Sequence, residues 1–217
     1  MEVLSISGVD ELSEKLNSLS ERFIVLFFHV EDSAECNLMN QVITELQNDD
    51  KNKNAAVIKI NASKDVEICK KYKVTVIPTF VFINSKLLGS NVVDNLVGAN
   101  GPLFSKQFEE QVGKLKELKD KLKKLIETAP IMLFMKGDRE LPRCGFSKQV
   151  IALLDKHKIS YETFDILGDF EVREGLKKYS NWPTYPQLYV KGELVGGLDI
   201  LKDLEENGEL EETLSLN

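Results

Sequence analysis

The chain has 217 residues, 42% of them hydrophobic, which is apolar material for either one large core or two of about 100 residues each. A formal net charge of −7, with no basic run interleaved with aromatics, argues against nucleic acid as a partner. No run of about 18 uncharged apolar residues occurs, and Met1–Ile6 has no basic region ahead of an apolar one, so neither a membrane span nor a secretion signal is expected. Cys36, Cys69 and Cys144 are odd in number and widely spaced. They read as reduced thiols of the cytosol, with the nucleus as a second compartment that fits.

Taken in chain order, Phe23–Phe28 is short, apolar and rich in branched and aromatic residues, the pattern of a strand buried on both faces. Between Ala34 and Asp49 the residues Leu38, Met39, Val42, Ile43 and Leu46 recur at helical spacing, and Ala55–Ile60 reads as the next strand. A strand-helix-strand unit of this kind pairs its strands in parallel. A short helix over Asp65–Tyr72 follows, then a strand over Val76–Ile83, a turn at Asn84-Ser85, a further strand through Leu87-Leu88, and a helix from near Pro102. The second half repeats the order. Ile131–Lys136 is predicted as a strand, Phe146–Lys156 as a helix, Tyr161–Ile166 as a strand and Phe170–Tyr179 as a helix. The strand pair Pro186–Val190 and Glu193–Val195 then leads to a helix from Gly197. Pro78–Phe82 overlays Pro186–Val190, so the chain is two copies of one fold, joined by a Lys-, Glu- and Leu-rich helical stretch over Gly113–Glu127. The class is α/β, with tandem domains over residues 1–115 and 118–217.

Chemistry concentrates in the second copy. Cys144 stands after a strand and a polar loop and just before a helix, where unpaired amides and the positive helix end favour thiolate over thiol. Lys136, Arg139, Arg143 and Lys148 surround it in the sequence and make the neighbourhood cationic within an acidic chain. Ser147 sits where a dithiol site carries its second cysteine, so Cys144 cannot close a disulfide within this motif.

The run Cys144-Gly145-Phe146-Ser147 is the hallmark of monothiol glutaredoxins. Lys136 eight positions earlier, Trp182-Pro183-Thr184-Tyr185-Pro186-Gln187 and Gly196-Gly197-Leu198-Asp199 follow in family order, so the chain resembles that family over nearly its whole length. The resemblance implies two tandem thioredoxin-like domains, each a central mixed sheet flanked by helices. It implies glutathione contacts at Lys136, Arg173, Lys177, Tyr185, Leu198 and Asp199, with Cys144 as the catalytic and metal-binding sulfur. Many members carry a cysteine where this chain has Leu198; the family contact there runs mainly through backbone. The residue chemistry agrees with a ligand bearing two carboxylates and one ammonium: Lys136, Arg173 and Lys177 supply cations, a helix start after Gly196-Gly197 supplies amides, and Asp199 an anion. Arg173 and Lys177, one helical turn apart, equally fit a solvated face, and Gly196-Gly197 an ordinary turn.

A 2Fe-2S cluster usually takes four thiolate-type ligands, and the second copy has one cysteine. The family answer is a two-fold homodimer in which each chain contributes Cys144 and one glutathione thiol. The resemblance adds BolA-like proteins and apo iron-sulfur proteins as partners. The function expected is glutathione-dependent binding and transfer of a 2Fe-2S cluster. Its rivals are removal of glutathione from protein mixed disulfides through Cys144 alone and a docking module in redox signalling. In the first copy the corresponding stretch is Ser33-Ala34-Glu35-Cys36. Serine holds the nucleophile's place, Cys36 has nothing to resolve, Cys69 reads as a core thiol, His29 as structural and His157 as a surface residue. Ile77-Pro78-Thr79 resembles the proline loop with which thioredoxins receive peptides.

Overall fold

The computed structural model describes residues 1–89 and 91–215. The chain divides into two compact units, Met1–Glu117 and Leu118–Asn217. The first unit contains strands β1 (Glu2–Ile6), β2 (Phe23–His29), β3 (Ala55–Asn61), β4 (Thr79–Ile83) and β5 (Val92–Val97), and helices α1 (Val9–Ser18), α2 (Ala34–Gln47) and α3 (Val66–Lys71). Helix α4 (Gly101–Ile126) carries the unit boundary within it. Its sheet runs β1-β3-β2-β4-β5. Strands β1, β3 and β2 are parallel, and β4 and β5 are added antiparallel.

Because side chains alternate across a strand, β2 feeds two cores. Ile24, Leu26 and Phe28 join Leu12 and Leu19 around α1 and Ile68 of α3. Phe23 and Phe27 point the other way into an aromatic stack, in which Phe27 lies 4.7 Å from Phe80 and Phe80 lies 4.5 Å from Phe104 of α4. Offset and tilted ring pairs at such distances add to the area they bury.

The second unit contains β6 (Ile131–Met135), α5 (Gly145–Lys156), β7 (Glu162–Asp165), α6 (Phe170–Tyr179), β8 (Gln187–Val190), β9 (Glu193–Gly196), α7 (Leu198–Glu206) and α8 (Leu210–Leu214). Its sheet order is β7-β6-β8-β9, with β6 and β7 parallel and the other pairs antiparallel. That is the order β3-β2-β4-β5 of the first unit without its outer strand β1. One core gathers Leu133 and Met135 of β6 with Val150 and Leu154 of α5, Leu201 of α7, and Leu210 and Leu214 of α8. Across the sheet, Gly175 of α6 lets that helix close on Leu122, to which an added Cβ would come within 3.1 Å.

Strands β1 and β5 and helices α1 and α8 had no counterpart in the sequence expectation, and two predicted strands differ in detail. Strand β4 begins at Thr79 rather than Val76, because Pro78 has no amide to give a ladder; the Ile77-Pro78 bond is cis. The stretch Leu87-Leu88 is not a strand but part of a 3-10 turn, Lys86–Leu88, that buries Leu87 and ends at Gly89 with φ 116°. Pairing with β4 resumes only at β5. No helix among the described residues is long and apolar enough to cross a membrane.

Candidate functional site

In the second unit, β6 delivers Lys136 to a loop whose ends are pinned together. The Arg143 amide donates to the Lys136 carbonyl at 2.8 Å, and Gly137 bridges Pro142. Gly137 is held at φ +81°, and a Cβ there would fall 2.3 Å from the Leu141 carbonyl oxygen. Its amide donates to Asp165 at 2.9 Å, which fixes the loop to the end of β7. The loop leaves Cys144 in extended conformation at the N-cap of α5, with Ser147 fully buried one turn on.

The sulfur makes no capping hydrogen bond of ordinary geometry, yet its surroundings hold the thiol below its ordinary value of 9.0. The Ser147 amide acts most strongly. Partial burial opposes it, and the Phe146 amide, the Ser147 hydroxyl and the charge of Lys136 assist it. Of the four cations near Cys144 in the sequence, Lys136 is the one whose charge stands among the leading causes of that shift. Arg139 is turned away, 2.6 Å from Asp155 and over the Tyr161 ring.

Cys144 opens onto a cavity of about 670 Å³, inside the usual range of about 300–1,000 Å³ for small-molecule sites. All seven residues singled out in the sequence line it: Lys136, Cys144, Arg173, Lys177, Tyr185, Leu198 and Asp199. They arrive from different elements. Helix α6 is capped by Asp169, whose side chain accepts from the Val172 amide, and it presents Arg173 and Lys177. Tyr185 does not offer its hydroxyl to the cavity; it donates to the Arg173 carbonyl at 2.8 Å and ties α6 to the proline loop, and burial pushes its pKa well up. The Tyr185-Pro186 bond is cis. Leu198 is buried in the core cluster, so what it can offer a ligand is its backbone. No side chain among the described residues caps the N-terminus of α7, which leaves its first amides free beside exposed Asp199. Gly196 and Gly197 permit this approach: a Cβ on Gly197 would come 3.1 Å from the Pro186 carbonyl.

Three side chains have roles that the sequence alone did not assign. Gln187, fully buried, donates to the carbonyls of Trp182 at 3.0 Å and Thr184 at 3.1 Å and accepts from the Tyr189 hydroxyl at 2.8 Å. That network holds the proline loop, and a polar Gln at the head of an apolar strand was its signal. Glu174 enters the cationic wall, 2.9 Å from Lys177. His157 stands at the end of α5, as expected, and there bridges Glu205 at 2.8 Å and Glu211 at 3.1 Å, fastening α7 and α8 to that helix end.

In the first unit, Ser33 caps α2 by accepting from the Cys36 amide at 3.2 Å. Cys36 itself is 1% exposed. Cys69 is half-buried, and burial raises its pKa. Half-burial likewise lowers the pKa of His29. No group of three or more His, Cys, Asp or Glu side chains suited to a metal ion exists among the described residues.

The Thioredoxin family profile matches residues 5–101 and the Glutaredoxin profile residues 131–195. Reduced apo GrxS14 from poplar is 43% identical over 45% of this chain and 89% of its own, with a TM-score of 0.41. Glutaredoxin 3 of Danio rerio is 43% identical over 95% of this chain, and the chain spans 65% of that relative's length. Monothiol glutaredoxin-4 of Schizosaccharomyces pombe is 36% identical over 97% of this chain and 98% of the relative, and its Saccharomyces cerevisiae namesake is 33% identical over 96% and 97%. Similarity that runs the length of both chains, through a thioredoxin-like unit and then a glutaredoxin-like one, shows that this chain belongs to the monothiol glutaredoxins.

Proposed function

We propose that the chain binds glutathione in the Cys144 cavity and, with it, holds and passes on a 2Fe-2S cluster. The ligand's chemistry matches the walls end by end. Its ammonium and one carboxylate share a carbon, so Asp199 and the free amides at the start of α7 suit that end together. The glycine carboxylate at the other end is then left for Lys136, Arg173 and Lys177, and the central thiol falls toward Cys144.

The observation that carries the cluster reading is that Cys144, held toward thiolate, lines the cavity without belonging to any group of three or more His, Cys, Asp or Glu side chains suited to a metal ion among the described residues. Four sulfurs are needed and one chain offers one. Two chains and two glutathiones make four, which calls for a two-fold homodimer. The cargo would pass to apo iron-sulfur proteins, with BolA-like proteins as further partners. Three free cysteines suit the reducing cytoplasm, and the nucleus with it.

A second reading rests on the same acidic thiol. Cys144 thiolate would attack the glutathione sulfur of a protein mixed disulfide; the S–S bond breaks and the protein thiolate leaves and takes a proton. A second glutathione, losing its proton, then displaces the first from Cys144 as glutathione disulfide. The buried Ser147 cannot resolve that intermediate.

Anaerobic reconstitution with iron, sulfide and glutathione tests the first reading. The chain should turn brown and dimeric, Cys144→Ala should stay colourless and monomeric, and Cys36 and Cys69 should be dispensable. A normal cluster in Cys144→Ala would overturn the assignment. Rapid reduction of a glutathionylated peptide with no transferable cluster would favour the second.

A further inference from the structure

Helix α6 carries an acid between two of the three cavity cations. One oxygen of Glu174, Oε1, lies 2.9 Å from Lys177 Nζ and 3.6 Å from Arg173 Nε. The longer approach is no hydrogen bond, and Arg173 Nε is buried without a hydrogen-bond partner among the described residues. The Glu174 side chain is 33% exposed and that of Lys177 25%, so the pair is partly shielded from water. Lys136, just after β6, has no ion pair among the described residues. The cations that line the cavity are therefore unequal: one is unpaired and two share a resident carboxylate.

We infer that Glu174 is an internal competitor for the site, a carboxylate that stands in on Lys177 and Arg173 and that the glycine carboxylate of glutathione must displace or share with. This deepens the proposed glutathione reading and rests on it. Docking the ligand exchanges one ammonium-carboxylate contact on Lys177 for another instead of creating one, and it brings a second negative charge up to the first. Both effects weaken binding relative to three free cations. The Lys177 hydrogen bond, followed by the charges of Lys177, Arg173 and Lys178, overcomes partial burial and holds the Glu174 carboxyl below its ordinary value of 4.5, so it remains charged throughout the neutral range. The consequence suits a carrier. A chain that holds cargo through a borrowed thiol must also let that thiol go, and a resident competitor keeps the ligand exchangeable.

The test is calorimetric titration of the full chain with reduced glutathione at neutral pH, wild type against Glu174→Gln. It is repeated with glutathione amidated at its glycine carboxylate. Removing a partly exposed competing charge should tighten glutathione binding up to about fivefold, the scale of such an ion pair. The amidated ligand should show no gain, since it brings no carboxylate to compete. A merely structural role for Glu174 would move both ligands alike, and that result would overturn the inference. So would unchanged or weaker glutathione binding by Glu174→Gln while the wild type binds. Absence of glutathione binding by the wild type would instead remove the proposed function, and the inference with it.

Discussion

Replacing Lys136 by Ala separates two jobs that meet at one ammonium. Lys136 lines the cavity with no resident partner among the described residues, so it is the cation most available to an incoming carboxylate. A hydrogen bond to a charged group contributes about 1.5–3 kcal/mol, which at about 1.4 kcal/mol per factor of ten corresponds to a loss of roughly 10- to 100-fold in glutathione affinity. Its effect on the sulfur should be much smaller. The Ser147 amide is the largest contributor to the acidity of Cys144, and the charge of Lys136 ranks after burial, the Phe146 amide and the Ser147 hydroxyl. Lys136→Ala should therefore bind glutathione 10- to 100-fold more weakly and lose a reconstituted cluster faster, while the midpoint of Cys144 alkylation against pH moves up slightly and stays below 9.0. Calorimetry and the pH dependence of iodoacetamide reaction, with Cys36 and Cys69 replaced, read the two effects separately. A midpoint restored to the ordinary thiol value would refute the claim that the helix amides set the acidity. Unchanged glutathione affinity would refute the place given to Lys136 in the site.

Gly137→Ala forces a left-handed backbone on a residue with a side chain and drives its Cβ against the Leu141 carbonyl; a destabilisation of about 1–3 kcal/mol is expected in urea unfolding, with Cys144 alkylation shifted toward higher pH as the loop moves. His157 has its pKa raised above 6.5 by hydrogen bonds to Glu205 and Glu211, so its clasp is fully present below 6.5 and is lost as pH rises through the raised value. His157→Gln should accordingly lower the melting temperature most near pH 6, with the difference shrinking above neutrality; a pH-independent difference would contradict this. With Cys144 replaced by Ala, the full chain should not reduce insulin disulfides, because Ser33 occupies the nucleophile's position and Cys36 is buried; adding Ser33→Cys should bring some reduction back.

The order of elements was open to reading because it is written in local periodicity. The six buried residues of Phe23–Phe28, the helical recurrence after Ala34 and its repetition after Phe146 declare strands and helices through contacts between near neighbours in the chain. The position of Cys144 ahead of a helix likewise carries its chemistry with it, since the amides that act on it belong to the next three residues. Glu174 was open to the same reasoning: its three-residue spacing to Lys177 is visible in the sequence, and pairing the two cations while skipping the anion between them misses it.

Other features depended on the tertiary structure. Arg139 belongs to the cationic neighbourhood of Cys144 by sequence, yet it is taken by Asp155, sixteen positions away. His157 becomes a clasp only because Glu211, fifty-four positions on, is folded back beside it. Leu87 looks like a strand residue until the 3-10 turn ending at Gly89 buries it and the ladder resumes at Val92. Charge partners and strand register are decided by distance in space. A charge's field falls off over a few ångströms whatever the sequence separation, so one chain of cations and anions admits many pairings, and the packing of α5 and α7 with the sheet, and of α6 against Leu122, selects among them.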